Sequence, residues 1–207
     1  MEKEAMLWGP KDGKVKCNLC SYRCAIKDSK RGICKVRENR DGKLYTLNYG
    51  LASSVTPDPI EKKPLYNFYP GTSVFSLGTV GCNFRCIHCQ NFSISQVSLD
   101  KSMGYLVEYS PQKTIELAKR YDCQGIAWTY NEPTIWFEYT YDTSKLAKEE
   151  GLYTSYVTNG YMTEEALDKI DPYLDAMNID VKAFTERFYK ELSNAKMQPV
   201  LDTVERA

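Results

Sequence analysis

The sequence predicts a parallel α/β fold preceded by a small cysteine-rich module. Three observations lead to this prediction. Strand-like and helix-like segments alternate from residue 73 onward, each predicted strand there ends in polar residues, and four cysteines lie close together near the start of the chain. Strands separated by helices are typical of parallel sheets. The 207-residue length suits one medium domain or two small ones.

Residues 1–72 are predicted to form an irregular module that is rich in turn signals. One short alternating strand is expected from Lys43 to Asn48. A proline-rich connector then leads into the α/β domain, which is expected to cover residues 73–207. The connector prolines are Pro57, Pro59, Pro64 and Pro70.

The second part contains four predicted strands: Ser73 to Val80, Gly125 to Tyr130, Leu152 to Thr158 and Ala176 to Val181. Helices are expected between and after them. Their predicted extents are from Ser110-Pro111, an N-cap followed by proline, to about Asp122; from Thr134 to Glu150, before Gly151; from the N-cap Thr163 onward; and from Thr185 onward.

The carboxyl ends of these four strands carry polar, chemically capable residues. They are the segments Gly81-Cys82, Asn131-Glu132-Pro133, Thr158-Asn159-Gly160 and Asp180-Val181-Lys182. In parallel sheets and barrels, chemistry takes place at the carboxyl ends of the strands. The sequence therefore predicts that all four ends converge on one functional face.

The composition excludes several classes of protein. No apolar run is long enough to cross a bilayer, and the first residues lack a secretory h-region, so a cytoplasmic location with no membrane partner is expected. Net charge is zero, but residues 1–72 carry 14 Lys and Arg against 8 Asp and Glu. This excess either complements the acidic remainder across an internal interface, which is the favoured interpretation, or attracts nucleic acid.

Eight cysteines in a cytosolic chain favour metal binding over disulfides. Because His88 is the single histidine, any metal must be held mainly by thiolates. Cys82, Cys86 and Cys89 have the spacing C-x3-C-x2-C, with no fourth cysteine nearby. A cubane on three thiolates leaves one iron open to a small ligand. The alternative is a zinc site that borrows a distant fourth cysteine.

This loop, at the end of a first strand, resembles the radical S-adenosylmethionine (radical SAM) superfamily. The resemblance implies a partial (β/α) barrel of that type, a [4Fe–4S] cluster and S-adenosylmethionine as cofactors, and an electron donor of the flavodoxin or ferredoxin type. His88 stands where the superfamily has an aromatic residue against the adenine. Asn131 and Glu132 occupy the place of a segment that receives the methionine amino group, which implies that Glu132 faces an ammonium.

Thr158-Asn159-Gly160 and Asp180-Val181-Lys182 resemble segments of the glycyl-radical-enzyme activases, such as the pyruvate formate-lyase activating enzyme. The match makes Asp180 and Lys182 candidate ligands of the ribose and the methionine carboxylate. One departure is Val157, where those activases carry an aspartate beside a cation site. Taken together, GCNFRCIHCQN, TYNEPTIW, VTNGY and DAMNIDVKAF look closest to the AmmeMemoRadiSam branch.

Cys17, Cys20, Cys24 and Cys34, spaced C-x2-C-x3-C-x9-C, could close a zinc site or hold a second iron–sulfur cluster. A structural metal is favoured, because the small module has little core of its own. The lone Cys123 is expected to be a buried small hydrophobe.

The predicted function is reductive cleavage of S-adenosylmethionine to a radical that abstracts hydrogen from an unknown small-molecule or protein substrate. The alternative is a metal-stapled module that binds nucleic acid or protein on an inactive α/β scaffold. Superfamily members generally build six βα units. Because four strands are counted here, the chain is expected to be a fragment or a shortened barrel.

Overall fold

The computed structural model describes residues 2–102 and 104–207. Along these residues the strands are β1 (Lys3–Glu4), β2 (Trp8–Lys11), β3 (Lys14–Cys17), β4 (Ala25–Ile26), β5 (Arg37–Arg40), β6 (Lys43–Thr46), β7 (Leu51–Ala52), β8 (Ser54–Pro59), β9 (Ser73–Gly78), β10 (Val107–Glu108), β11 (Gly125–Trp128), β12 (Tyr153–Thr158) and β13 (Ala176–Ile179). The α-helices are α1 (Phe92–Ser95), α2 (Leu99–Ser102), α3 (Pro111–Arg120), α4 (Phe137–Glu149), α5 (Glu164–Ile170), α6 (Glu186–Phe188) and α7 (Gln198–Arg206).

The main sheet has five strands in the order β13-β12-β11-β9-β8. The four strands predicted after residue 73 are all present, and β9, β11, β12 and β13 pair in parallel. Helices α3, α4 and α5 lie in the connections between successive parallel strands. The predicted α/β architecture with parallel strands is therefore confirmed, and the carboxyl ends of four strands share one edge of the sheet.

Local sequence explains where the connecting helices begin and end. Ser110 caps α3 by accepting a hydrogen bond from the backbone N–H of Lys113 at 3.1 Å, and Thr163 caps α5 in the same way. The helix expected from Thr134 starts instead as a 3₁₀ turn, Pro133–Trp136, before α4 continues. The segment after Thr185 is also more broken than expected, with α6, a π-helix at Tyr189–Ser193 and then α7.

The front of the chain is more regular than the sequence suggested. The strand expected from Lys43 is present as β6, but it is one of several short strands there. Short antiparallel hairpins join β2 to β3 and β5 to β6. Their turns hold Asp12-Gly13 and Asp41-Gly42, with positive φ at all four residues. Two positive φ angles fit the tight turns that join short strands. Each of these four strands has only four residues, and although burial alternates along β3, β5 and β6, so short an alternation is a weak signal in a sequence.

The proline-rich connector also contributes to the main sheet. Strand β8 pairs antiparallel with β9, placing Asp58 opposite Val74. The prolines at 57 and 59 are tolerated because β8 is an edge strand. The sheet therefore reaches into the segment assigned to the front module, while the division at residue 72 stays a prediction.

One hydrophobic core joins the front strands to the main sheet. Val15 and Leu44 belong to the same buried cluster as Phe75 and Trp128. Basic residues of the front segment pair with acids later in the chain: Lys3 with Asp142, Arg23 with Glu165, Arg31 with Asp100 and Arg37 with Glu138. This pairing supports the interpretation of the charge asymmetry as complementarity across an internal interface.

Candidate active site

A cavity of about 760 Å³ lies at the carboxyl edge of the parallel strands. This volume falls within the usual range for small-molecule sites, roughly 300–1,000 Å³. Residues that follow β9, β11, β12 and β13 line it together, as the sequence predicted. The predicted site residues in its wall are Cys82, Cys86, His88, Cys89, Asn131, Glu132, Thr158, Asn159, Asp180 and Lys182.

The cysteine loop leaves β9 through Gly81, whose φ is +91°. A Cβ there would lie 2.8 Å from the carbonyl oxygen of Cys34 and 3.0 Å from Val36. Glycine is thus required by both the backbone angle and the close approach of the front segment. The contact also brings the front cysteines against the start of the cavity loop.

Two of the three loop cysteines, Cys82 and Cys86, have neighbours that suit metal-bound sulfur. The Cys82 sulfur accepts a hydrogen bond from the backbone N–H of Phe84 at 3.3 Å. The Cys86 sulfur lies 3.4 Å from the hydroxyl of the buried Ser193 on the π-helix. Burial, followed by the negative charge of Glu132, raises the pKa of the Cys82 thiol. Iron would have to displace that proton.

The donor set fits an iron–sulfur cube. Within residues 2–102 and 104–207, no three His, Cys, Asp or Glu side chains are arranged to hold a single metal ion. The four irons of a cube hold their thiolates further apart than a single tetrahedral ion does. Thiols that are too far apart to share one ion can therefore still bind a cube. Three soft sulfur donors in one cavity wall suit the cluster, and no fourth cysteine lines that wall.

Glu132 is the most constrained acid of the site. It is 2 % exposed, and both of its carboxylate oxygens accept hydrogen bonds. The donors are the backbone N–H of Thr134, the Thr158 hydroxyl and the backbone N–H of Asn159, at 2.7–2.9 Å. Burial nonetheless raises the pKa of Glu132, against these three hydrogen bonds. The carboxylate is thus fixed in position at the junction of the β11 and β12 ends.

The two asparagines contact the cysteine loop. Asn131 donates to the carbonyl of Gly81 at 2.8 Å and accepts from the backbone N–H of Thr79. Asn159 donates to the side-chain oxygen of Asn83 at 2.8 Å and lies 3.8 Å from the Cys82 sulfur. Both side chains therefore order the loop from neighbouring strand ends, whatever ligand the cavity holds.

Asp180 and Lys182, which follow β13, form an ion pair at that end of the cavity, with a nitrogen-to-oxygen distance of 3.2 Å. Burial acts to lower the pKa of Lys182, but the charge of Asp180 and its hydrogen bond outweigh this and raise it. His88 is exposed and packs its ring 5.4 Å from that of Phe188. It lines the cavity wall.

The cavity has one wall that the sequence did not predict. Thr56 and Asp58 of β8, Lys62 and Lys63 beyond it, and Tyr130 after β11 all line it. The segment from Pro57 to Pro64 looked like a linker because its prolines hide any strand-like alternation. Its antiparallel pairing with β9 therefore could not be predicted from the sequence. An acid followed by two lysines between prolines was the available signal.

The four front cysteines lie close enough for their charges to interact. Burial raises the pKa of Cys34 to about 11, with the charges of Cys17 and Cys24 acting in the same direction. Cys17, Cys20 and Cys34 are buried and Cys24 is half-buried. Arg37 donates to the Cys17 sulfur at 3.7 Å. The buried Cys123 lies apart from both groups, in the main core, as expected.

The radical SAM superfamily model matches residues 76–207. This range covers the end of β9, the cysteine loop and the strands β10 to β13 with their carboxyl ends, and the chain belongs to the radical SAM superfamily.

Among curated proteins, the "Uncharacterized protein MJ0808" of Methanocaldococcus jannaschii is 47 % identical over 206 residues, which are 99 % of this chain and 60 % of that protein. The "Putative glycyl-radical enzyme activating enzyme MJ1632" of the same organism is 31 % identical over 62 % of this chain and 47 % of its own length. The activase-like relationship expected from the sequence is therefore confirmed. The chain spans about half to three fifths of these relatives.

A solved structure titled "Structure of TYW1 with a lysine-pyruvate adduct bound" is similar over 62 % of this chain and 50 % of that one, with 17 % identity and a TM-score of 0.42.

In the described part of the chain, no helix has the length and apolar character needed to cross a membrane.

Proposed function

We propose that this chain holds a [4Fe–4S] cluster on Cys82, Cys86 and Cys89 and cleaves S-adenosylmethionine reductively. The observation that carries the proposal is that these three thiols share one strand-end cavity with Glu132 and the Asp180–Lys182 pair. When bound, the reduced cluster supplies the electron that breaks the C5′–S bond, giving methionine and a 5′-deoxyadenosyl radical that abstracts hydrogen from substrate.

The residues of the chain bind and orient the cofactor in this proposal. Glu132 faces the methionine ammonium, and its three hydrogen bonds fix the direction of its carboxylate. Asp180 and Lys182 contact the ribose and the methionine carboxylate. Thr158, Asn131 and Asn159 brace these groups and the cysteine loop, and His88 lies against the adenine.

The buried packing behind the cysteine loop would help to keep water from the reactive carbon on that side of the cavity. Cys86 and Phe84, which line the cavity, also belong to a buried cluster with Tyr161 and Tyr189. A dry site prevents quenching of a reactive intermediate by solvent. The open side of the cavity is where substrate would enter.

The named relative supports a role in activating a protein partner, with an electron donor of the flavodoxin or ferredoxin type. A small-molecule substrate stays the alternative prediction from the sequence. The resemblance to the AmmeMemoRadiSam branch also stays a prediction. Superfamily membership does not favour the alternative of an inactive scaffold that binds nucleic acid or protein. A cytoplasmic location stays a prediction.

The front cysteines are proposed to hold a structural metal, either zinc or a second iron–sulfur cluster. Three of these thiols are buried and their charges interact, which supports this role. Binding a single zinc ion would require them to move closer together, because no three of the described side chains are placed to hold one ion. A metal there would tie the module to the loop that holds Cys82, because the Cys34 carbonyl packs directly on Gly81.

The test is product formation by cysteine variants. The chain is reconstituted anaerobically with iron and sulfide, reduced with dithionite, and assayed for 5′-deoxyadenosine from S-adenosylmethionine. Cys82→Ala, Cys86→Ala and Cys89→Ala should each abolish the nucleoside, whereas the matched control Cys123→Ala should keep it. Zinc on the three cysteines of the wild type, with no nucleoside, would refute the proposal.

A further inference from the structure

The wall formed by β8 and the residues after it carries an ionic cluster with two buried central residues and an exposed lysine, Lys62. Asp58 is 5 % exposed and Lys63 is 2 % exposed. Asp58 accepts from Lys63 at 2.8 Å, from the Tyr130 hydroxyl at 2.8 Å and from Lys62 at 3.0 Å. We call these four residues the Asp58 cluster. All of them line the same cavity as the cysteine loop.

The backbone around Tyr130 is shaped to hold its ring in this cluster. Tyr130 has φ +71°, which is uncommon for a residue with a side chain. Gly78 lies beneath it, and a Cβ there would come within 2.9 Å of the Thr129 carbonyl oxygen and 3.0 Å of the Tyr130 ring. The strained turn and the close approach together place the phenol beside Asp58.

Lys63 has more hydrogen-bonding capacity than its protein neighbours use. An ammonium has three N–H donors. Among the described residues, Lys63 makes one hydrogen bond, to Asp58, and lies 5.1 Å from the centroid of the Tyr130 ring. A buried charged donor that lacks acceptors is costly. Two donors at a cavity wall therefore point to an acceptor on a ligand.

The charges of the cavity wall favour an anion at this end. Three lysines line the cavity, and Lys182 is paired with Asp180 on the far side. Lys62 and Lys63 share the single carboxylate of Asp58, so this end keeps one net positive charge. Hydrogen bonds from Lys63, Tyr130 and Lys62 outweigh burial and lower the pKa of Asp58, which keeps it ionised.

We infer that the Asp58 cluster is a substrate subsite that binds an oxyanion, a carboxylate or phosphate group, through Lys63 and Lys62. Asp58 and Tyr130 hold Lys63 in place. The inference rests on the proposed function, because it assigns the class of substrate that would meet the radical in the same cavity. A neutral substrate would leave the remaining N–H donors of Lys63 without a charged acceptor.

The experiment uses the cluster-loaded full chain with S-adenosylmethionine bound and 3-fluorotyrosine placed at position 130. The ¹⁹F resonance is followed while inorganic phosphate or acetate is added at constant ionic strength, with glycerol as the neutral probe. We expect a saturable shift with at least one anion and none with glycerol. Whichever anion binds more tightly distinguishes a phosphate from a carboxylate as the recognised group.

In Lys63→Met the apparent affinity should fall by about tenfold or more, the usual effect of losing a charged hydrogen bond. The exposed control Lys113→Met should titrate like the wild type, and Lys63→Arg should retain binding if the methionine variant does not fold. A flat wild-type titration, or an unchanged one in a folded Lys63→Met, overturns the subsite.

The two proposals fail in different ways in this experiment. Substrate-free cleavage of S-adenosylmethionine to 5′-deoxyadenosine is measured on the same samples. If the nucleoside forms while the anion titration is flat, the subsite is wrong and the radical chemistry stands. If the nucleoside is absent from the wild type, the proposed function itself fails.

Discussion

The buried ion pair between Arg37 and Glu138 holds the front strands against the main domain. Arg37 lies on β5 and is 1 % exposed, and Glu138 lies on α4 and is fully buried. One Arg37 nitrogen donates to Glu138, and another donates to the Cys17 sulfur. The backbone N–H of Met6 also donates to Glu138, at 2.7 Å. Glu138→Gln keeps the shape of this contact and removes its charge.

We expect Glu138→Gln to lower the free energy of unfolding by about 3–5 kcal/mol, since it leaves a buried guanidinium without its counter-charge. Urea denaturation of samples with matched metal content measures this free energy. The matched control is Glu191→Gln, which removes an exposed pair with Arg187. That change should cost less than about 1 kcal/mol.

The double variant Arg37→Met/Glu138→Leu should lose less stability than Glu138→Gln alone, because it leaves no isolated charge in the core. If Glu138→Gln unfolds at the same urea concentration as Glu191→Gln, the pair is not buried as described. The docking of the front strands on α4 would then have to be revised.

Three further predictions concern single side chains. Gly81→Ala should destabilise the chain by about 2–4 kcal/mol in urea, because its positive φ and the facing carbonyl both resist a side chain; an unchanged midpoint would contradict this. Ser193→Ala should lower the reduction potential of the cluster by about 40 mV in an EPR titration, since the hydroxyl beside Cys86 would no longer stabilise the reduced state. If the hydroxyl does not stabilise the reduced cluster, the reduction potential of Ser193→Ala should equal that of the wild type. Arg23 lowers the pKa of Glu165 to about 2. The free energy of unfolding of the wild type should exceed that of Glu165→Gln by under about 1 kcal/mol. This difference should be present in full above pH 4.5 and be lost as the pH falls toward 2.

The parallel part of the fold could be predicted from sequence because its signals are local. Ser110-Pro111 and Thr163 mark helix starts, and β-branched runs such as the one from Ser73 mark buried strands. Once the strands are known, parallel pairing alone requires Cys82, Glu132, Asn159 and Lys182 to share an edge. The cavity confirms this convergence, while the role of each residue there stays a prediction.

The remaining features depend on contacts between distant parts of the chain. Strand β8 pairs with β9 through backbone hydrogen bonds that its prolines gave no reason to expect. The Asp58 cluster follows from that pairing, since it brings Asp58 to Tyr130, 72 residues away in sequence. The contact of Ser193 with Cys86 likewise needs a π-helix that no local pattern indicated.

The most direct test of the central claim is the EPR spectrum of the reduced, reconstituted chain with and without S-adenosylmethionine. Three thiolates leave one iron of the cube open, so the cofactor should bind that iron and change the spectrum. We predict a [4Fe–4S]⁺ signal that shifts on addition of S-adenosylmethionine and disappears in Cys86→Ala. The absence of any signal that S-adenosylmethionine shifts, or a shifting signal that survives in Cys86→Ala, would contradict the account.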